Sequence, residues 1–179
     1  MALGDGLTVW FTGLPSAGKT TIAEGLAARL RDEGRRVEVL DGDAVRSGLS
    51  RDLGFSRADR DENVRRVGYV ADLLSRHGVV VLCALASPYR AARDAVRAAH
   101  GAGRFVEVHV ATPLEVCRQR DVKGLYARQR EGGLKGLTGA DDPYEPPLAP
   151  ELVVPAHQQT PDQSVDAVRC LLGREASDQ

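Results

Sequence analysis

The chain has 179 residues, 24 Lys+Arg against 25 Asp+Glu, a formal net charge of −1 and a hydrophobic share of 42%. That length suits one domain spanning 1–179, and that apolar share is enough to bury a core, which excludes disorder along the whole chain. The charge balance excludes a global positive field that would recruit nucleic acid or an anionic membrane, so any anion site must be local. The longest apolar run, residues 79–86, falls far short of the roughly 20 residues of a membrane span. Residues 1–6 carry neither the basic region nor the apolar core of an export signal, and a cytoplasmic protein is expected. Cys83, Cys117 and Cys170 are odd in number and lack metal-ligand spacing, so they read as reduced core thiols.

Apolar runs alternate with helical patterns in the order of βαβ units, which predicts an α/β fold with a parallel sheet covered on both faces. Residues 7–12 (LTVWFT) form a buried strand, after which Ile22, Leu26 and Leu30 mark one helix face and Gly34 ends the helix. A second strand over 37–40 runs into the acidic turn Asp41-Gly42-Asp43. Ser56 caps a helix with the stripe Val64, Val67, Ala71 and Leu74, closed by His77-Gly78. A third strand spans 79–85. Ser87-Pro88 then reads as a helix start with a cap residue followed by proline. The fourth strand covers 105–110, and Thr112-Pro113-Leu114-Glu115 reads as a capping box opening a short helix to about Arg120. Residues 121–150 lose apolar periodicity, and their glycines, prolines and basic residues suggest an irregular basic lid over an anionic ligand. A last short strand over 151–154 and a capped helix over about 161–173 complete the chain.

The motif GxxxxGK[ST] stands between the first predicted strand and the first predicted helix, as Gly13, Leu14, Pro15, Ser16, Ala17, Gly18, Lys19 and Thr20, with Thr21 following. In that context it is a P-loop: backbone N–H groups and the helix N-terminus cradle phosphates, Lys19 spans two of them, and Thr20 offers a hydroxyl to Mg²⁺. A nucleoside triphosphate is the implied ligand. The third strand, VVVLCALAS, lacks a terminal aspartate, so the usual second carboxylate must come from elsewhere. Asp41 and Asp43 stand at the end of the second strand, on the sheet edge where open α/β folds bind ligands. Asp43 is the stronger candidate for the catalytic or metal-organising acid, because hydrogen bonds within the turn can occupy Asp41.

Taken together, GLPSAGKTT (13–21), DGDAVRSGLSRDLGFS (41–56), DRDENVRRVG (59–68), SPYR (87–90), TPLEVCRQRDVKGLY (112–126) and GLTGADDPYEPP (136–147) resemble the adenylylsulfate (APS) kinase family. These are P-loop enzymes that phosphorylate the 3′-hydroxyl of adenosine 5′-phosphosulfate, and the likeness runs from about residue 7 to residue 172. The resemblance implies that Asp43 and Lys19 are catalytic, that Thr20 and Asp43 hold Mg²⁺, and that Arg46, Arg60 and Asn63 grip the phosphosulfate and ribose. It places Phe55 against the acceptor adenine, brings Asp41, Ala86, Ser87, Lys123 and Leu125 to the acceptor, and assigns Arg118 or Arg120 to the donor phosphates. Leu137 stands where the family has a second aromatic, and Ala44 where it usually has Asn. The family tradition marks the position of Ser87 as a phosphoserine intermediate. Ser-Pro at a helix start reads physically as a cap, and in-line transfer to a hydroxyl needs no covalent stop.

These features predict an APS kinase using ATP and Mg²⁺, with a small-molecule acceptor, no nucleic acid or membrane partner, and a homodimer by resemblance only. Two alternatives remain at this point: a related P-loop kinase for another nucleotide or small anionic metabolite, and a non-catalytic nucleotide sensor. The changed positions Ala44 and Leu137 favour the first, and the presence of Lys19, Thr20 and Asp43 together opposes the second.

Overall fold

A computed structural model describes residues 6–175. The elements, in chain order, are β1 (Leu7–Thr12), α1 (Lys19–Asp32), β2 (Val37–Asp41), α2 (Gly42–Ser47), α3 (Arg57–Arg76), β3 (Val80–Ala84), α4 (Arg90–Ala99), β4 (Phe105–Val110), α5 (Leu114–Arg120), α6 (Leu125–Arg130), β5 (Leu152–Val154) and α7 (Pro161–Glu175). The strands pair in parallel in the order β2-β3-β1-β4-β5. Both neighbours of β1 come later in the sequence, one on each side, so the chain reverses direction across the sheet beside it. That is the switch point outside whose carboxyl edge such sheets bind ligands, and β1 delivers its chain directly into the P-loop there.

The three inner strands β1, β3 and β4 have two buried faces, as their near-continuous apolar runs predict, whereas the edge strands β2 and β5 are partly exposed. Leu7, Val9 and Phe11 of β1 join Ile22, Leu26 and Leu30 of α1 and Val165 and Val168 of α7 in one core. Trp10 joins Val64, Val67 and Ala71 of α3 and Val96 of α4 in the other. The close approach of α3 to α4 depends on Gly68, where a Cβ would lie 2.5 and 2.7 Å from the two methyls of Val96.

Several local expectations give way to longer-range contacts. The acidic segment after β2 is the first turn of α2 rather than a free turn, with Asp41 at the N-cap accepting the Asp43 N–H at 3.0 Å. Ser87 does not cap α4. That helix starts at Arg90 after Tyr89, and its free Arg90 N–H donates instead to the Glu145 carboxylate at 2.8 Å, so a remote acid supplies the cap. The Thr112 hydroxyl does not cap α5 either; it donates to the Ala17 carbonyl at 2.8 Å and steadies the P-loop, while Pro113 takes the N-cap position.

Residues 121–150 are more ordered than their composition suggests. The Asp121 carboxylate accepts the Tyr126 and Ala127 N–H groups at 3.0 and 2.9 Å, nucleating α6. Residues 138–146 form a strap tied to β1, α3 and α4 by Thr138, Asp142, Tyr144, Glu145 and Pro146. Cys83 and Cys117 are buried as expected, whereas Cys170 is exposed on α7. The α3/α4 crossing is testable: Gly68→Val should lower the unfolding free energy by about 1–3 kcal/mol through overpacking against Val96. Urea unfolding reads this, and an unchanged midpoint would contradict the crossing.

Candidate active site

The carboxyl edge of the sheet opens into a cavity of about 570 Å³ lined from the P-loop, α2, α3, the β3–α4 loop, the α5–α6 region and the segment after β5. This is ample for a small-molecule site. At the donor end, the loop needs backbone shapes that only some residues tolerate. Gly13 has φ 151°, and a Cβ there would lie 2.6 Å from the Val110 carbonyl; Gly18 has φ 110° at the N-cap of α1. Ser16 also has positive φ, at 61°, a strained setting of the kind found at ligand clamps. The first turn of α1 carries no acidic residue, leaving its N-terminal potential for an anion.

Lys19 is buried, and its ammonium donates to the Gly13 and Leu14 carbonyls at 2.9 and 2.7 Å. Burial, with repulsion from Lys123, lowers its pKa to about 8, against smaller opposing effects of Cys117 and Asp41. Beside it the Thr20 hydroxyl donates to Asp41 at 2.7 Å, and the same carboxylate caps α2. Asp41 therefore joins the first turn of α1 to the first turn of α2. Asp43 projects from α2 and is paired with the Lys123 ammonium from the loop before α6. Thr20, Asp41 and Asp43 present hard oxygen donors in one place, the type of set that suits Mg²⁺.

The other end of the cavity is cationic and aromatic. The Arg46 guanidinium lies 4.8 Å from the Phe55 ring centroid and that of Arg60 lies at 5.6 Å, while Phe55 itself is 61% exposed. Phe55 is thus a presented ring and not a core plug. Arg46 donates to the Gly54 carbonyl at 2.5 Å, and burial together with the neighbouring Arg60 lowers its pKa from the ordinary guanidinium value, with Asp59 opposing. Arg60 is not paired with Asp59 or Glu62 on a solvent face. It is buried, donating to the Phe55 carbonyl at 3.0 Å, to the Thr138 hydroxyl at 3.0 Å and to the Gly136 carbonyl, with Asp142 at 3.7 Å. Asn63 lines the same wall, and its buried Oδ1 has no hydrogen-bond partner among the described residues. A buried acceptor without a partner costs free energy until a ligand donor meets it.

The structure brings together the P-loop, Asp41, Asp43, Arg46, Phe55, Arg60, Asn63, Ala86, Ser87, Lys123, Leu125 and Leu137 around this one cavity. Leu137 is buried and packs into the main core, filling space where the resemblance leads one to expect an aromatic. Arg118 lies elsewhere: it pairs with Glu115 at 2.8 Å on the outer side of α5. Arg120, two residues on, turns inward and donates to the Ala17 carbonyl at 3.3 Å and the Ala156 carbonyl at 3.0 Å. Gln159, Pro161 and Ser164 also line the cavity, and the sequence marks their stretch only as a helix start.

The family described as Adenylylsulphate kinase matches residues 5–155. The chain belongs to the adenylyl-sulfate kinase family. It is 58% identical over 163 residues to the adenylyl-sulfate kinase of Synechococcus sp. (strain JA-3-3Ab), covering 91% of this chain and 92% of that one. Its fold matches the structure of the Mycobacterium tuberculosis APS kinase in complex with AMPPNP and APS, with a TM-score of 0.91, 43% identity, and coverage of 94% of this chain and 98% of that one. It also matches the hexameric APS kinase from Thiobacillus denitrificans, with a TM-score of 0.73 and 40% identity, spanning 96% of this chain and 29% of that longer one.

The state of Lys19 makes nucleotide binding depend on pH in a defined direction. Polyphosphate favours the ammonium, and the free site releases its proton near pH 8, so affinity for a non-hydrolysable ATP analogue should fall as pH rises above that value. One linked proton limits the loss to about tenfold per pH unit. Calorimetric titrations between pH 7 and 10 read the slope; Lys19→Met should bind weakly with a flat profile, and a flat profile in the unaltered protein would contradict the assignment.

Proposed function

We propose that the protein transfers the γ-phosphoryl group of ATP directly to the 3′-hydroxyl of adenosine 5′-phosphosulfate. The observation that carries this reading is a single cavity whose wall combines the P-loop with its Lys19, the acid Asp43, and the group Phe55, Arg46, Arg60 and Asn63. Membership of the adenylyl-sulfate kinase family supports it, as does the likeness to the Mycobacterium tuberculosis enzyme bound to AMPPNP and APS.

In this reading the P-loop amides, Lys19 and Arg120 neutralise the donor phosphates. The Arg46 and Arg60 guanidinium groups hold the phosphosulfate, Phe55 stacks on the acceptor adenine, and Asn63 Oδ1 accepts a ribose hydroxyl. Asp43 takes the proton of the attacking 3′-hydroxyl once Lys123 leaves it for phosphate. Thr20 and the neighbouring carboxylates of Asp41 and Asp43 would hold Mg²⁺, which supplies charge neutralisation of the phosphates when bound. The glycine-rich segment over about 121–136 acts as the lid that excludes water.

Ser87 acts in this reading by position and not as a nucleophile. Its hydroxyl is buried, accepts from Trp10 Nε1 at 3.1 Å and donates to Thr12 at 3.1 Å, so no base stands ready to take its proton. We place the protein in the cytoplasm as a homodimer. For assembly as such, though not for the dimer, the hexameric Thiobacillus denitrificans relative lends support. Among the described residues no helix is long and apolar enough to cross a membrane.

Mass spectrometry after incubation with MgATP and APS tests the assignment. The expected product is one phosphate heavier than APS, reduced at least about 10³-fold in rate by Lys19→Ala or Asp43→Ala. A Ser87→Ala variant should still turn over. Transfer to another nucleotide in preference to APS would overturn the acceptor, and undiminished transfer by Lys19→Ala would overturn the site.

A further inference from the structure

We infer that Arg93 is a positioning residue that shapes the acceptor end of the cavity, an inference that rests on the APS-kinase reading above. The starting observation is the backbone at Ser87. Its φ of 39° lies in the left-handed region, which a non-glycine residue occupies only where the surroundings over-determine it. Three shorter contacts do so here, beside a longer approach of the hydroxyl to the Leu85 carbonyl at 3.4 Å. Trp10 Nε1 donates to the Ser87 hydroxyl, that hydroxyl donates to Thr12 Oγ1, and Arg93 donates through Nη1 to the Ser87 carbonyl at 2.6 Å.

Counting protons fixes the direction of the remaining bonds. Thr12 has one hydroxyl proton, and it goes to the Ala86 carbonyl at 2.9 Å. Thr12 Oγ1 therefore accepts from both Ser87 and the Tyr144 hydroxyl, the latter at 3.1 Å. Ala86 and Ser87, two residues of the cavity wall, are thereby held by groups from β1 and from the strap.

Arg93 closes this arrangement from behind. It is 1% exposed, donates from Nε to the Glu107 carboxylate at 2.8 Å, and donates from Nη2 to the Glu145 carbonyl at 2.7 Å. One planar guanidinium thus fixes the carbonyls of two separate segments, the loop after β3 and the strap, against an anchored acid on β4. The Glu145 N–H donates to the Pro88 carbonyl at 2.8 Å, and the ring of Tyr144 stacks on His109 with centroids 5.9 Å apart. A buried ion pair adds little to stability over packed apolar residues, so what this one contributes is geometry. A lysine keeps the charge and the Glu107 partner but cannot hold three acceptors in a plane.

Arg97 provides the control. It belongs to the same charged cluster, pairing with Glu107 at 3.3 Å and Glu151 at 2.5 Å, and it reaches neither carbonyl. The test is steady-state kinetics of Arg93→Lys and Arg97→Gln, with APS and ATP each varied, beside thermal unfolding of both variants. Arg93→Lys should raise KM for APS at least about tenfold, with KM for ATP within about twofold of the unaltered enzyme, as displaced positioning groups do. Arg97→Gln should lower the melting temperature and leave both KM values within about twofold.

Equal movement of both KM values in Arg93→Lys, an unchanged KM for APS, or the same acceptor defect in Arg97→Gln would overturn the inference. Should Arg93→Lys not fold, Glu107→Gln is read in its place. A rise in KM for APS alone supports the role, and no rise overturns it. An unaltered protein that binds ATP but transfers nothing to APS would remove the underlying reading. Normal transfer with an unchanged Arg93→Lys profile removes this inference alone.

Discussion

Positive charge held in place by backbone carbonyls, and so still available to a ligand, is the constraint on which the cavity depends. The Lys19 ammonium rests on the carbonyls of Gly13 and Leu14, Arg46 on that of Gly54, and Arg120 on those of Ala17 and Ala156. Carbonyl dipoles fix these cations without neutralising them. An anionic ligand then meets an oriented array whose reorganisation cost was met during folding, the condition under which electrostatic stabilisation is largest. Burial lowers the pKa values of Lys19 and Arg46, so an anion that pairs with either one favours its charged form.

A second consequence is that the two ends of the cavity are mechanically joined. Asp41 receives the Thr20 hydroxyl from α1 and the Asp43 N–H from α2, so the P-loop threonine and the α2 acid share one anchor. Arg60 performs the corresponding service for the strap, binding Thr138 and Gly136 while its guanidinium stays at the cavity wall. The P-loop, α2, α3 and the strap are tied to one another by side-chain hydrogen bonds. The stretch between α5 and the strap is tied to α2 through the contact of Lys123 with Asp43.

Where local rules decide the outcome, the sequence was a sufficient guide. The strand over Leu7–Thr12, the Ile22–Leu26–Leu30 face, the Ser56 cap and the strand over Phe105–Val110 all follow from periodicity and capping chemistry, and the P-loop follows from its motif in context. Where a side chain had a better partner far away in sequence, local rules misled. Ser87 and Thr112 look like caps, yet their hydroxyls serve β1 and the P-loop. The α6 helix carries no cap signal because its N-cap is Gly124, and the carboxylate that accepts its early N–H groups belongs to Asp121, three residues before that glycine. Arg118 and Arg120 are equivalent in composition, and only the rotation of α5 separates the outward one from the one on the cavity. Arg93 and Tyr144 carry no motif, since their meaning lies in which carbonyl or hydroxyl they reach.

The account rests on direct transfer between two nucleotides held at once in a single cavity, and the stereochemical course of the reaction tests that most directly. With ATP made chiral at its γ-phosphorus by oxygen isotopes, a single in-line displacement by the acceptor hydroxyl gives a product of inverted configuration. Inversion is the result this arrangement of Lys19, Asp43 and the acceptor wall predicts. Retention would require two successive displacements through a phosphorylated residue, would return Ser87 to the role of nucleophile, and would contradict the geometry described for it.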